Sequence, residues 1–322
     1  ASDDVASVVE DSVDNQIDVL LNDVDIDGDS LDVTGVSTPA HGSVTFTIDF
    51  VYYTPDVDYS GSDQFSYTIS DGNGGSDSAT VYVTVSGVND DPVAVDDSAT
   101  VLEDSVDNQV DVLVNDFDVD GDSLTIVSVS VPGHGVASAE DGDYVYYTPD
   151  ADYSGSDQFT YTVSDGSGGF DNATVFVTVT GVNDVPVAVD DYASVAEDSV
   201  DNEIDVLSND VDIDGDSLDV SGVTQPVHGS VTFTVDFVFY TPDGDYVGAD
   251  QFSYTVSDGN GGSDSATVSV TVTGVNDDPV ANDDVVSVVE DSSGNQIDVL
   301  GNDVDIDGDS LDVSGVTQPV HG

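Results

Sequence analysis

No lysine or arginine occurs among the 322 residues, against 68 aspartates and glutamates. No ion pair from a basic side chain can form, so a formal charge of −68 has to be compensated by solvent counterions or bound cations. The same absence removes the groups that grip phosphate, which excludes nucleic acid as a partner, and an anionic membrane surface would repel the chain. Cysteine is missing, which excludes disulfide staples, thiolate metal sites and thiol catalysis. Methionine is missing as well, so a mature or internal piece is expected, with export and anchoring signals elsewhere. No apolar run approaches about 18 residues, so direct membrane insertion is not expected.

What is present is a repeat. The pairs Glu10-Asp11, Glu103-Asp104, Glu197-Asp198 and Glu290-Asp291 follow one another at spacings of 93, 94 and 93 residues. They divide the chain into repeats 1–93, 94–187 and 188–280 and a partial repeat, 281–322. Each full repeat is long enough to bury its own core. High charge alone also fits disorder, but 14 tyrosines, 11 phenylalanines and regular apolar alternation argue for folded β structure once the charge is screened.

Within the first repeat, strands are expected at Val5–Val9, Gln16–Leu21, Leu31–Val36, Gly42–Thr47, Phe50–Thr54, Gln64–Ser70 and Ala79–Ser86. Phe65, Tyr67 and Ile69 alternate with Ser66 and Thr68, and Val81, Val83 and Val85 with Tyr82 and Thr84, so each strand has one face for the core. The turn from Asp71 to Gly75 is a hairpin signal. Seven short strands with regularly spaced turns predict an all-β fold of two-sheet sandwiches. The extra residue of the second repeat falls at Ala139–Asp143, a hairpin tip, where insertion leaves the flanking strands in register. The junctions Gly87–Pro92, Gly181–Pro186 and Gly274–Pro279 contain no Gly/Ser spacer, so neighbouring repeats should nearly touch, end to end, as a thin rod. Residues 281–322 should supply about three of the seven strands, too few to bury a core alone. They are either part of a longer array or a half-domain completed by another copy in a filament.

Acidic side chains recur in four groups per repeat: Glu10-Asp11; the loop Asp23, Asp25, Asp27, Asp29 with Gly28; Asp56 and Asp58; and Asn89, Asp90, Asp91 with Asp96 and Asp97. Oxygen-only ligands suit a hard divalent ion, calcium above all, which takes six to eight oxygens. The D-x-D-x-D-G spacing resembles an EF-hand loop, but Thr34 stands at the twelfth position and no helices flank it. A nonapeptide calcium roll fails too, because Gly74-Gly75-Ser76-Asp77 is not in tandem.

In order, Glu10, Asp25 and Asp27, Asp56 and Asp58, Asp71-Gly72 and the run Val83 to Pro92 resemble the motifs of cadherin repeats. Lines such as N-D-x-D-x-D-G-D-S-L, H-G-S-V and Y-T-P-D-x-D-Y-S-G-S-D-Q-F are still more similar to the cadherin-like or bacterial immunoglobulin-like tandem repeats of giant bacterial surface adhesins, and this likeness covers essentially the whole chain. The resemblance implies tandem seven-stranded Greek-key β-sandwiches, cadherin/Ig-like, on the cell exterior, with calcium at the junctions between neighbouring repeats. For the first junction it implies Glu10, Asp56, Asp58, Asn89, Asp90 and Asp91, with Asp118, Asp120 and Asp165 from the next repeat. For the second it implies Glu103, Asp150, Asp152, Asn183 and Asp184, with Asp212, Asp214 and Asp258. For the third it implies Glu197, Asp243, Asp245, Asn276, Asp277 and Asp278, with Asp305 and Asp307. Which of the four loop aspartates bind is left open. Val185 replaces the aspartate found at Asp91 and Asp278, which weakens the second junction, and the absence of tryptophan removes the tryptophan-strand exchange of some animal cadherins.

The histidines His41, His134, His228 and His321 recur at one turn position, about 40 Å apart along such a rod, and cannot share an ion. Carboxylates repeated in every unit indicate structure rather than an active site, and no nucleophile elbow or phosphate loop is present, so no enzyme is expected. The main expectation is a calcium-stiffened spacer in a secreted surface adhesin. The alternatives are a subunit of an extracellular filament and a sugar- or ice-binding face.

Overall fold

The computed structural model describes residues 1–320, in two compact units: Ala1–Gly181, and the residues from Val182 onward. The first unit contains two sandwiches. In the first sandwich the strands are β1 (Asp4–Val9), β2 (Asn15–Ile17), β3 (Asp32–Val36), β4 (Gly42–Phe46), β5 (Val51–Pro55), β6 (Gly61–Ser70) and β7 (Ser76–Ser86). One sheet has the order β1-β7-β6-β3 and the other β2-β5-β4. β6 and β7 form the long hairpin, with Phe65 opposite Val81, while β1 runs parallel to β7 from Asp4↔Val81 to Val9↔Ser86.

The second sandwich repeats the plan with β8 (Asp97–Leu102), β9 (Asn108–Val110), β10 (Thr125–Val129), β11 (Gly135–Ser138), β12 (Val145–Pro149), β13 (Gly155–Ser164) and β14 (Phe170–Thr180). Its extra residue sits at the hairpin tip: Gly135 still faces Pro149 as Gly42 faces Pro55. The second unit carries β15 (Asp191–Ala196), β16 (Asn202–Ile204), β17 (Asp219–Val223), β18 (Gly229–Phe233), β19 (Val238–Pro242), β20 (Gly248–Ser257) and β21 (Ser263–Thr273), in the same two-sheet order.

Each core follows from the period-two pattern. Phe65, Tyr67 and Ile69 from β6 and Val81, Val83 and Val85 from β7 are all buried, with Val33 beside them on β3 and Val19, Val51 and Tyr53 closing the other side. Tyr53 stacks on Phe65 with ring centroids 6.1 Å apart, and its hydroxyl donates to buried Asp63 at 2.9 Å. Burial pulls the Asp63 carboxyl upward, but donation from Gln64, His41, Tyr53 and Ala40 outweighs it and holds the group below the usual carboxylate range. The histidine beside it stacks on Tyr59 at 4.1 Å, as His134 does on Tyr153 and His228 on Tyr246. These three are turn residues packed on tyrosine; His321 lies outside the described residues. Phe159, buried against Tyr147 in the second core, tests the packing. Phe159→Ala should cost about 3–5 kcal/mol in a denaturant titration, and a loss below about 1 kcal/mol would mean the core is not packed as described.

Two expectations need correction. The second strand ends at Ile17 rather than Leu21: Val19 still enters the core, but Asp23 N bonds to Leu20 O and turns the chain into the carboxylate loop. Residues 281–320 contain no strand; their only ladder contact is the isolated bridge Val280↔Val304. The topology explains this. The first three strands of a repeat pair with its seventh, fifth and sixth, and those partners come later in a repeat than residue 320 reaches.

Candidate metal centre

At the junction inside the first unit, the end of β1 delivers Glu10 to the base of the first sandwich. Its main-chain NH continues the β1–β7 ladder to Ser86 O at 3.0 Å, and its buried carboxylate accepts from Val88 N. Asp11 follows in the left-handed region (φ 56°), as does Asp58 (φ 56°), a conformation that aspartate tolerates better than most residues. Asp11 Oδ1 accepts from Asp58 N at 3.2 Å and so joins the two turns. Asp90 arrives from the connecting segment, its NH held by Asp120 Oδ2 at 2.8 Å.

Two clusters result. One carboxylate oxygen from each of Glu10, Asp90 and Asp120 falls within 4.8 Å of the other two, and the same holds for Asp11, Asp58 and Asp90. Asp90 belongs to both. Its Oδ2 and that of Asp118 are buried and have no hydrogen-bond donor. Desolvation raises the Asp90 carboxyl, and Asp58, Asp11, Asp120 and Glu10 push it further in the same direction. Buried acceptor oxygens without donors, gathered where no basic side chain exists, are a donor set for a hard cation.

The rest of the site is built by turns. Asp118 Oδ1 accepts from Asp120 N and Asp122 N at 2.9 and 3.3 Å, with Gly121 at φ 82°, so the loop closes on its own second carboxylate. Asn89 Nδ2 donates to Asp165 Oδ2 at 2.6 Å; that bond first, with NH donation from Ser167, Gly169 and Gly168, lowers the buried Asp165 carboxyl. Asp91 is exposed, and its Oδ1 flanks Gly169 beside Asp165. Asp56 is tied through its main chain, its NH to His41 O and its carbonyl to Tyr59 N.

Equivalent residues elsewhere keep these local bonds. In the first unit Glu103 is buried, with its NH on Thr180 O; Asp152 N bonds to Asp104 Oδ1 at 3.1 Å, and Asp150 N to His134 O. In the second unit Asn183 Nδ2 reaches Asp258 Oδ2 at 2.8 Å and Asp184 N reaches Asp214 Oδ2 at 2.7 Å, so this segment is held by the sandwich that follows it. Asp212 Oδ1 takes Asp214 N at 3.0 Å, while its Oδ2 is buried without a donor. Val185 packs its Cα beside Gly262, where the first unit has the Asp91 carboxylate beside Gly169.

Further along the second unit, Glu197, Asp277 and Asp307 form the counterpart of the first cluster. Asp277 N bonds to Asp307 Oδ2 at 2.7 Å, and desolvation, then Asp198, Asp307, Asp245 and Glu197, raise its carboxyl. Asp245 N is held by Asp198 Oδ1 at 3.3 Å, Asp243 N by His228 O, and Asp305 Oδ1 accepts from Asp309 N at 3.0 Å. Asn276 Nδ2 bonds to Asp277 O at 2.9 Å, and Asp278 is exposed. Asp11 and its equivalent Asp198 were absent from the ligand set that the resemblance implied. The repeated Glu-Asp pair was the available signal.

A family model described as a bacterial Ig domain matches residues 1–84, 89–178, 183–271 and 276–322. Among solved structures, the EC22-24 segment of mouse cadherin-23 is similar with a TM-score of 0.60 and 18% identity, over 84% of this chain and 96% of that one. Mouse clustered PcdhgC3 EC1-3 is similar with a TM-score of 0.54 and 14% identity, over 84% and 99%. At such identities the likeness shows the fold. Protein GAMETE EXPRESSED 2 of Arabidopsis thaliana is 39% identical over 88 residues, 27% of this chain and 9% of that protein's length.

Proposed function

Because the chain belongs to the bacterial Ig domain family, as tandem cadherin-like β-sandwiches, we propose that it is a calcium-binding spacer array in a large secreted surface adhesin or fibre. The observation that carries this reading is the pair of carboxylate clusters sharing Asp90, with buried oxygens that no donor reaches. Glu10, Asp90 and Asp120 would hold one ion and Asp11, Asp58 and Asp90 another, each completed by main-chain oxygens or water. When bound, calcium supplies positive charge; the residues supply the geometry. Glu10, Asp11 and Asp58 come from the first sandwich, Asp120 from the second and Asp90 from the segment between them, so a shared ion ties neighbouring repeats together. Without the ion, repulsion between these carboxylates loosens that tie. Partners are accordingly calcium and the adjacent repeats, and the location is the cell exterior.

Calorimetric titration of chelator-treated protein with calcium, accompanied by thermal melting, tests this. Saturable binding should appear, with a Tm rise of about 10–20 °C when calcium exceeds Kd a hundredfold, because only the folded state assembles the sites. Identical melts in chelator and in millimolar calcium would end the reading.

A further inference from the structure

The carboxylate loop has four aspartates per repeat, and the structure separates their roles. In the second sandwich, Asp116 turns inward: its carboxylate accepts from Val95 N at 2.7 Å and lies 3.0 Å from Tyr161 Oη. Asp118 and Asp120 present oxygens to the junction, as described above. Asp122 points the other way, its Oδ2 accepting from Ser167 Oγ at 2.9 Å. Ser167 lies on the β13–β14 hairpin turn, two residues after Asp165. The same contact recurs in the other sandwiches: Asn73 Nδ2 donates to Asp29 Oδ2 at 2.8 Å, and Asn260 Nδ2 to Asp216 Oδ2 at 2.6 Å. The donor is asparagine in the first and third repeats and serine in the second. What persists is a donor, not a residue.

We propose that the last loop aspartate (Asp29, Asp122, Asp216) is a positioning residue for calcium and not a ligand, tying the carboxylate loop to the hairpin turn through Asn73, Ser167 or Asn260. The inference rests on the calcium reading above and assigns the roles within its loop. The tie matters because both connected segments carry residues that frame the junction, Asp165 through its bond from Asn89, next to Asp90. Asp118 and Asp120 lie on the loop and Asp165 on the turn, and the turn is built on glycines at positive φ, Gly166 at 77° and Gly168 at 122°, with little conformational restraint of their own. A side-chain bond across the gap fixes the separation between the loop and the turn that anchors Asn89 before an ion arrives, which spares the ion that ordering.

Calorimetric calcium titrations of the full chain and of Ser167→Ala, Asp122→Ala and Asp122→Asn test it, with thermal melts in calcium and in chelator as the folding control. Ser167→Ala and Asp122→Ala should leave the number of bound ions unchanged and weaken the affected sites roughly three- to tenfold. The double variant should be no worse than either single one. Asp122→Asn should bind like the parent, because its amide oxygen still accepts from Ser167. Ser167→Ala and Asp122→Ala should lose more stability in calcium than in chelator, whereas a merely structural role would lower both melts equally. Loss of an ion in Asp122→Asn would make Asp122 a ligand and overturn the inference; an unaltered affinity in Ser167→Ala would do so equally. If the parent chain itself binds no calcium, the functional reading fails, and this inference with it.

Discussion

Asp90→Asn should destabilise the protein in calcium and stabilise it in chelator. Without an ion, the Asp90 carboxylate is desolvated and faces Asp58, Asp11, Asp120 and Glu10, so removing its charge relieves repulsion while keeping an oxygen in place. With calcium, the same carboxylate serves both clusters, and its loss weakens two ions together. Each ion lost at a hundredfold excess over Kd removes about 2.7 kcal/mol of stabilisation. Asp58→Asn, which touches one cluster, should show about half that loss. Melting curves for the three proteins under both conditions decide the matter. A change of the same sign in calcium and in chelator would rule out Asp90 as a shared ligand.

The second large effect concerns protons. In the third sandwich, Tyr254 Oη has one hydrogen but lies within 3.1 Å of Val189 O, Val206 O and both carboxylate oxygens of Asp210. Neighbouring Asp191 is buried, and its Oδ2 has no donor. Burial first, then repulsion from Asp210 and Asp205, push the Asp191 carboxyl up to about 6, against the opposing pull of the nearby Tyr254 hydroxyl and Asn209 amide. The folded-state value thus stands above the unfolded one. The contribution of the protonated form is fully present below about pH 4 and is lost as pH rises through about 6. The unscreened deficit above pH 6 would be roughly 3 kcal/mol, which solvent screening brings to about 1–2 kcal/mol. Asp191→Asn should therefore exceed the parent in stability by about 1–2 kcal/mol at pH 8 and match it near pH 4. Denaturant titrations at fixed calcium give the comparison, and a difference independent of pH would refute it.

Much of this was legible in the sequence where one force dominates. The alternation of Phe65, Tyr67 and Ile69 against Val81, Val83 and Val85 fixes the long hairpin, because burial of one face outweighs other preferences there. The start of β6 was not legible for the same reason. Asp63 continues the buried face toward Gly61, and an acid at a core position interrupts an apolar pattern although four donated bonds satisfy it. The carboxylate clusters were readable as composition and order, which brought Glu10, Asp58, Asp90 and Asp120 into the expected set. Asp11 joins them only because its left-handed backbone turns it back toward Asp58, a geometry that a motif does not encode. The separate settings of Asp116, Asp120 and Asp122 depend on partners 21 to 45 residues away in sequence, so identical letters concealed them.

The parallel pairing of β1 with β7 has a mechanical consequence. The strand that opens a repeat and the strand that closes it lie side by side and run the same way, bonded from Asp4↔Val81 to Val9↔Ser86. Tension entering at the start of β1 and leaving at the end of β7 pulls the two strands past each other, so all six pairs are loaded in shear at once and no end peels first. A module threaded this way resists extension along its own axis without needing a covalent clasp.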